Sequence, residues 1–168
     1  MRYAPVALAL SLIVGVTGSM GSAKNAAPLE PRVEALIKDG RAALSRGDSG
    51  AATDSFEAAL AINPASPAPL IALADAARHE GLQGKAIHYY REALERDPNN
   101  VVAISGEGGA MVEKGALEKA RRNLARLEGL CGKGCAETTD LAAAIARGPA
   151  PRVVSAEAVK PEPKVESN

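Results

Sequence analysis

Along most of the chain, apolar and small residues recur at the three- and four-residue spacing of an α-helix, and the pattern restarts at regular intervals. Leu36, Gly40 and Ala43 form one such stripe, and Ala52, Phe56, Ala59 and Leu60 form the next. Leu70, Leu73 and Ala77, then Ala86, Tyr90, Ala93 and Leu94, repeat the pair. Between the two stripes of each pair stands Gly47-Asp48 or Gly81. Glycine takes backbone conformations that other residues resist, so a helix breaks and a turn begins there. Pro64 and Pro98 close the second stripes, since proline cannot donate the hydrogen bond that a continuing helix needs. Ser66-Pro67 reads as the cap and first turn of the following helix.

A shift of 34 residues superimposes these features. Phe56 falls on Tyr90 and Leu124, Ala52 on Ala86 and Ala120, and Gly47 on Gly81 and Gly115. Gly40 meets Ala74 and Gly108, Leu36 meets Leu70 and Ile104, and Pro64 meets Pro98 and Gly132. A fixed period in this range is the signature of a solenoid. The order small residue, three residues, aromatic, two residues, small residue, four residues, proline resembles the tetratricopeptide repeat.

The resemblance covers about 100 of the 168 residues. It divides them into 33–66, 67–100 and 101–134, and implies an all-α fold: a right-handed superhelical array of about three helix-turn-helix hairpins. The middle repeat matches best. In the first, Asp39 takes a usually apolar place. The third is degenerate, with Leu124 for the aromatic, Glu107 at a usually apolar site and no closing proline. Residues 135–147 follow as a capping helix, in which Leu141 and Ile145 pair one turn apart before Gly148-Pro149 ends it. The expected total is seven helices.

The two ends of the chain differ from the array. Residues 1–23 have a charged start at Arg2, an apolar stretch from Val6 to Val16 and a run of small residues ending at Ala23, the pattern of a secretory signal peptide. The apolar stretch is short of the roughly 20 residues that span a bilayer, so cleavage near Lys24 is expected rather than a retained anchor. Residues 24–32 read as a linker. The segment 148–168 holds Pro149, Pro151, Pro161 and Pro163 without apolar periodicity, and reads as a disordered spacer, with a docking tail as the other reading. Richness in Ala, Gly, Arg and Pro suits a GC-rich genome. With the signal peptide it points to the periplasm of a Gram-negative bacterium, or to secretion.

Charge is balanced at 20 basic and 20 acidic residues, so no basic excess points to nucleic acid. The densest basic stretch, Glu118 to Arg126, alternates its charges with core positions and reads as a solvated helix face. Aromatic residues make up 2% of the chain, which excludes a core of interlocking rings and implies modest stability from close alanine packing. The four residues Gly106-Glu107-Gly108-Gly109 lie inside a helical period, not after a strand, so they do not form a phosphate loop. Their expected role is to weaken the helix or to let a partner or a neighbouring helix approach.

Export changes how Cys131 and Cys135 read. Outside the cytosol, paired cysteines commonly form a disulfide, here one that pins the capping helix to the last hairpin. A redox-responsive pair or a metal site are the alternatives. The four-residue separation, the missing βαβ context and the lack of further nearby ligands favour neither. No catalytic motif is present, so neither an enzyme nor a cofactor is expected.

In arrays of this type the first helix of each hairpin lines a concave surface on which partners lie. Helical spacing from the core stripes places Ile37, Arg41, Leu44 and Ser45 there in the first repeat and Ile71, Asp75, Arg78 and His79 in the second. In the third it places Val102, Ser105, Gly109, Val112 and Glu113. Such a face suits an extended peptide or a helix, held by apolar anchors and a few ion pairs. The basic and asparagine clamp with which some members grip a C-terminal carboxylate is not reproduced. The expected function is therefore an exported scaffold that holds a protein or peptide in cell-envelope assembly. The alternatives are a structural or assembly subunit using its tail or convex face, or a redox-responsive module.

Overall fold

The computed structural model describes residues 30–149. The expected signal peptide, nearly all of the linker and the tail from residue 150 onward lie outside them. Seven helices make up the described part: α1 Pro31–Ser45, α2 Ser49–Ile62, α3 Pro67–His79, α4 Gln83–Arg96, α5 Val101–Glu113, α6 Leu117–Cys131 and α7 Ala136–Arg147. No strand occurs among the described residues. α1 starts at Pro31, inside the expected linker, because proline at a helix start sacrifices only an amide that has no intrahelical partner.

The three hairpins turn in the same way. At the first, the amide of Gly47 donates to the Leu44 carbonyl at 2.9 Å and that of Asp48 to the Ala43 carbonyl at 3.0 Å. This is the Schellman arrangement, which satisfies the last carbonyls of a helix and needs a positive φ at the residue after its end. Gly47 has φ 79°, and Gly81 and Gly115 repeat it at 75° and 86°. The same bonds recur from Leu82 to Ala77 at 2.8 Å and from Ala116 to Met111 at 2.7 Å. Side-chain caps start three helices: Asp48 for α2, Ser66 for α3 and Asn100 for α5.

α1 packs on α2, α3 on α4 and α5 on α6, while α2 meets α3 and α4 meets α5. α1 also touches α3 and α3 touches α5, so the first helices of the hairpins line up side by side. α7 covers both α5 and α6, as a terminal cap must if the last hairpin is not to leave an apolar face in water. The core is built of alanines between two large rings. Ala52, Ala59, Ala86, Ala93 and Ala120 have no exposed surface, nor do Phe56 and Tyr90.

The rings demand space opposite them. A β-carbon on Gly40 would lie 2.3 Å from the Phe56 ring, and one on Gly106 would lie 2.4 Å from the Tyr90 ring. One on Gly108 would lie 2.6 Å from Leu141 of α7. The glycines of α5 thus admit neighbouring side chains at close range. In the third repeat Leu124, at the aromatic register, is only partly buried, while Leu127, three residues on, and Leu141 of α7, which lies against Gly108, are buried. Glu107 is 6% exposed. Its carboxylate accepts hydrogen bonds from Arg91 Nε of α4 at 2.8 Å and Asn123 Nδ2 of α6 at 2.9 Å, so the polar residue at an apolar site ties the second hairpin to the third.

Candidate functional site

The aligned first helices carry a strip of alternating charge. Arg41 on α1, Asp75 and Arg78 on α3, and Glu113 on α5 follow one another across the array. Arg78 bonds Glu113 through both Nε and Nη2, and Gln83 Nε2 donates to the same carboxylate at 3.3 Å. The guanidinium reaches Glu113 by passing over Gly109, whose absent side chain would stand 2.9 Å from Nη2. Burial acts to lower the pKa of Arg78, but Glu113 and Tyr90 together outweigh it and the net shift is upward. The bridge is partly open to water, so its own contribution to stability is about 0.2–1 kcal/mol.

Asp75 is the other fixed point. Its Oδ1 accepts a hydrogen bond from the Tyr90 hydroxyl, which reaches up from the core of the second hairpin. Burial pushes the carboxyl above its ordinary value, partly offset by the Tyr90 bond and by the charges of Arg78 and Arg41. One edge of the residue stays exposed, so it is crowded by protein without being sealed in. Tyr90 is raised in turn, first by burial and then by the Asp75 charge, and it stays protonated as the donor.

Of the residues expected on this face, Arg41, Ser45, Asp75, His79 and Glu113 are exposed and Arg78 is half-buried. Ser45 turns its hydroxyl back to the Ala42 carbonyl at 2.8 Å, within its own helix. Two expected residues must be corrected: Ile37 is 4% exposed and Ile71 8%, so both belong to the core. Gly109 and Val112 are buried as well, because α3 and α5 lie close enough to cover the positions between them. Ser105 bonds the Glu137 carbonyl of α7 at 3.1 Å and serves the cap rather than the face. The strip is therefore mostly polar, and its remaining apolar residues are Leu44, half-buried on α1, and Val102, 49% exposed on α5. Gln83 and Tyr90 were missed, since both lie on α4, a second helix, and reach the strip only through the packing of the hairpin.

Cys131 ends α6, Cys135 caps α7, and the two are disulfide-bonded with their α-carbons 5.9 Å apart, well within the ordinary range. The hydroxyl of Thr138, itself 2% exposed, lies 3.0 Å from the Cys135 sulfur. Glu137 completes a group whose ligand atoms lie within 4.8 Å of one another. While the sulfurs are bonded to each other, this group offers no thiolate to a metal.

A stack of paired helices with a charged strip on its first helices defines a helical-repeat scaffold. The profile of the tetratricopeptide repeat matches residues 69–100, in the middle hairpin, and the array around it is similar in fold to solved tetratricopeptide domains. Solved structures agree. The tetratricopeptide domain of Sgt2 from Aspergillus fumigatus is 26% identical, covers 83% of this chain and 91% of that one, and superposes with a TM-score of 0.60. The first such domain of Spaghetti (RPAP3), bound to an HSP90 peptide, is 20% identical over 69% of this chain and 91% of that one, with a TM-score of 0.61. The TPR2B domain of yeast Sti1 in complex with an Hsp70 ligand is 18% identical over 70% and 98%, also with a TM-score of 0.61. No curated protein sequence matches the chain. Among the described residues, no helix is long and apolar enough to cross a membrane.

Proposed function

We propose that the protein is an exported scaffold that holds a peptide segment of another protein across α1, α3 and α5, and works in assembly at the cell envelope. The observation that carries this reading is the strip Arg41, Asp75, Arg78 and Glu113, in which neighbouring hairpins offer opposite charges at fixed positions. The domains of Spaghetti and Sti1 that share the fold are seen with chaperone peptides, which supports a peptide as the class of ligand. Those ligands themselves are not proposed here, because the basic and asparagine clamp is missing from this face. The charged start, apolar centre and small-residue end of residues 1–23 support export.

A pull-down from an envelope extract, with the wild-type chain beside Arg41→Gln and Arg78→Gln, tests the scaffold. A partner lost in both variants is the expected result; a partner retained in both would refute the strip as the binding face. N-terminal sequencing of the protein recovered from the periplasmic fraction tests export, with a mature start near Lys24 expected.

A further inference from the structure

We infer that the junction between the second and third hairpins carries a second binding site, one that takes an acidic segment of a partner protein. A cleft of about 380 Å³ opens there between α4 and the α5–α6 turn. Ile87 and Met111, both nearly buried, form its floor, and His88, Arg91, Lys114 and Lys119 form its walls. The volume lies within the range of clefts that hold small ligands or a few side chains.

The wall charges are only partly spent. His88 Nε2 lies 2.8 Å from Glu92, and Arg91 gives its Nε to Glu107 at 2.8 Å but makes no bond through its Nη atoms among the described residues. Lys114 and Lys119 form no ion pair among the described residues. Glu113, next in the chain to Lys114, is engaged by Arg78 and Gln83. At the start of α6 the N-cap, Ala116, lines the cleft and offers no side-chain oxygen to the first amides, and Glu118 in that first turn is engaged by Arg121.

The preceding junction shows that the scaffold does not require this charge. One repeat earlier, the positions of His88, Arg91, Lys114 and Lys119 are held by Asp54, Glu57, Glu80 and Lys85. The shape-giving glycines are kept, Gly50 for Gly84 and Gly81 for Gly115. A role in folding would recur with the period, whereas here Arg91 and Lys114 stand where the earlier repeat has carboxylates, His88 replaces a third, and only the lysine at 119 is kept. The cations pair with carboxylates, and the Ile87–Met111 floor accepts an aliphatic side chain. The ligand is accordingly a short stretch in which Glu or Asp flanks a residue such as Leu. This site does not depend on the strip formed by α1, α3 and α5.

The test is an NMR titration of the ¹⁵N-labelled full chain with the peptide acetyl-Glu-Glu-Leu-Glu-Glu-amide. Saturable shifts centred on the amides of Gly84, Gly115 and Lys119 are expected, weakening as salt is added. The Lys114→Gln/Lys119→Gln variant, altered only at exposed side chains, should raise the Kd about fivefold, the loss of two screened ion pairs. Arg41→Gln should leave the affinity unchanged, which separates this site from the concave strip. Absence of saturation would overturn the proposal. So would shifts centred on Arg41 and Asp75, equal binding of the peptide with Gln for Glu, or equal saturation by inorganic phosphate at the same concentration.

Discussion

Replacing Gly106 by alanine sets two contributions of opposite sign against each other. In the middle of a helix, alanine is favoured over glycine by about 1 kcal/mol, so helix propensity alone predicts a more stable protein. The new β-carbon, however, would lie 2.4 Å from Cε1 and Cζ of Tyr90 and 2.6 Å from its hydroxyl oxygen. Carbon atoms in contact settle at roughly 3.5–4 Å, so the ring or α5 must move by about 1 Å. The ring has nowhere to go: it has no exposed surface, and its hydroxyl is held by Asp75. Overpacking of this kind costs about 1–3 kcal/mol, and a disturbed Tyr90–Asp75 bond adds about 1 kcal/mol. The expected net loss is about 1–3 kcal/mol. Gly129 in α6 is the internal control, since a β-carbon there meets nothing within 4 Å. Gly129→Ala should gain about 0.5–1 kcal/mol. Urea denaturation followed by circular dichroism reads both, and the two midpoints should fall on opposite sides of the wild type. A Gly106→Ala midpoint at or above that of the wild type, with an unchanged m-value, would refute the argument from close packing.

Removing the disulfide with Cys131→Ser/Cys135→Ser releases a loop closed across a sequence separation of 4, worth about 2 kcal/mol in the chain-entropy model. Amide exchange in α7 should accelerate more than in α3, because the bond anchors the cap. Glu107→Leu puts an apolar side chain where the carboxylate is now buried, and should be neutral or stabilising, whereas Arg91→Ala leaves that carboxylate with Asn123 alone and should cost about 1–2 kcal/mol. Chemical denaturation of the two variants gives that order, and equal losses would argue against it. Asp75 supplies a pH test: its folded pKa lies above the ordinary carboxyl value of 3.8, so the native state holds the proton more tightly than the unfolded chain does. Its ionisation therefore costs stability as pH rises from 3.8 through the folded value, and the cost persists at neutral pH. Asp75→Asn keeps an oxygen for Tyr90 and should remove that part of the pH dependence, seen as a difference between the two stability profiles that levels off above the folded pKa.

The architecture was legible in the sequence because each of its determinants is local. The Schellman turns need only a glycine at Gly47, Gly81 and Gly115; the starts of α1, α2, α3 and α5 need only a proline or a capping side chain; and the stripes of small and aromatic residues repeat at one period. The close approach of Cys131 and Cys135 was legible for the same reason, with the two cysteines in a single turn. The charged members of the strip, Arg41, Asp75, Arg78 and Glu113, followed from helical spacing once the core stripe was known.

What needed the tertiary structure were the contacts between elements. Spacing places Ile37 and Ile71 beside the charged residues, but how closely one helix covers the next decides whether they are exposed, and α1, α3 and α5 lie close enough to bury them. The register puts Leu124 at the aromatic site, yet Leu127 and, with the arrival of α7, Leu141 are the buried residues at this end of the array. Glycines that read as weaknesses of α5 became sites where Tyr90, Leu141 and Arg78 press against its backbone. By itself the sequence determined where helices begin, end and pair, because those choices rest on backbone conformation and short-range hydrogen bonds. Only the packed array decided which side chains meet across hairpins, because that depends on interhelical distances that no local pattern encodes.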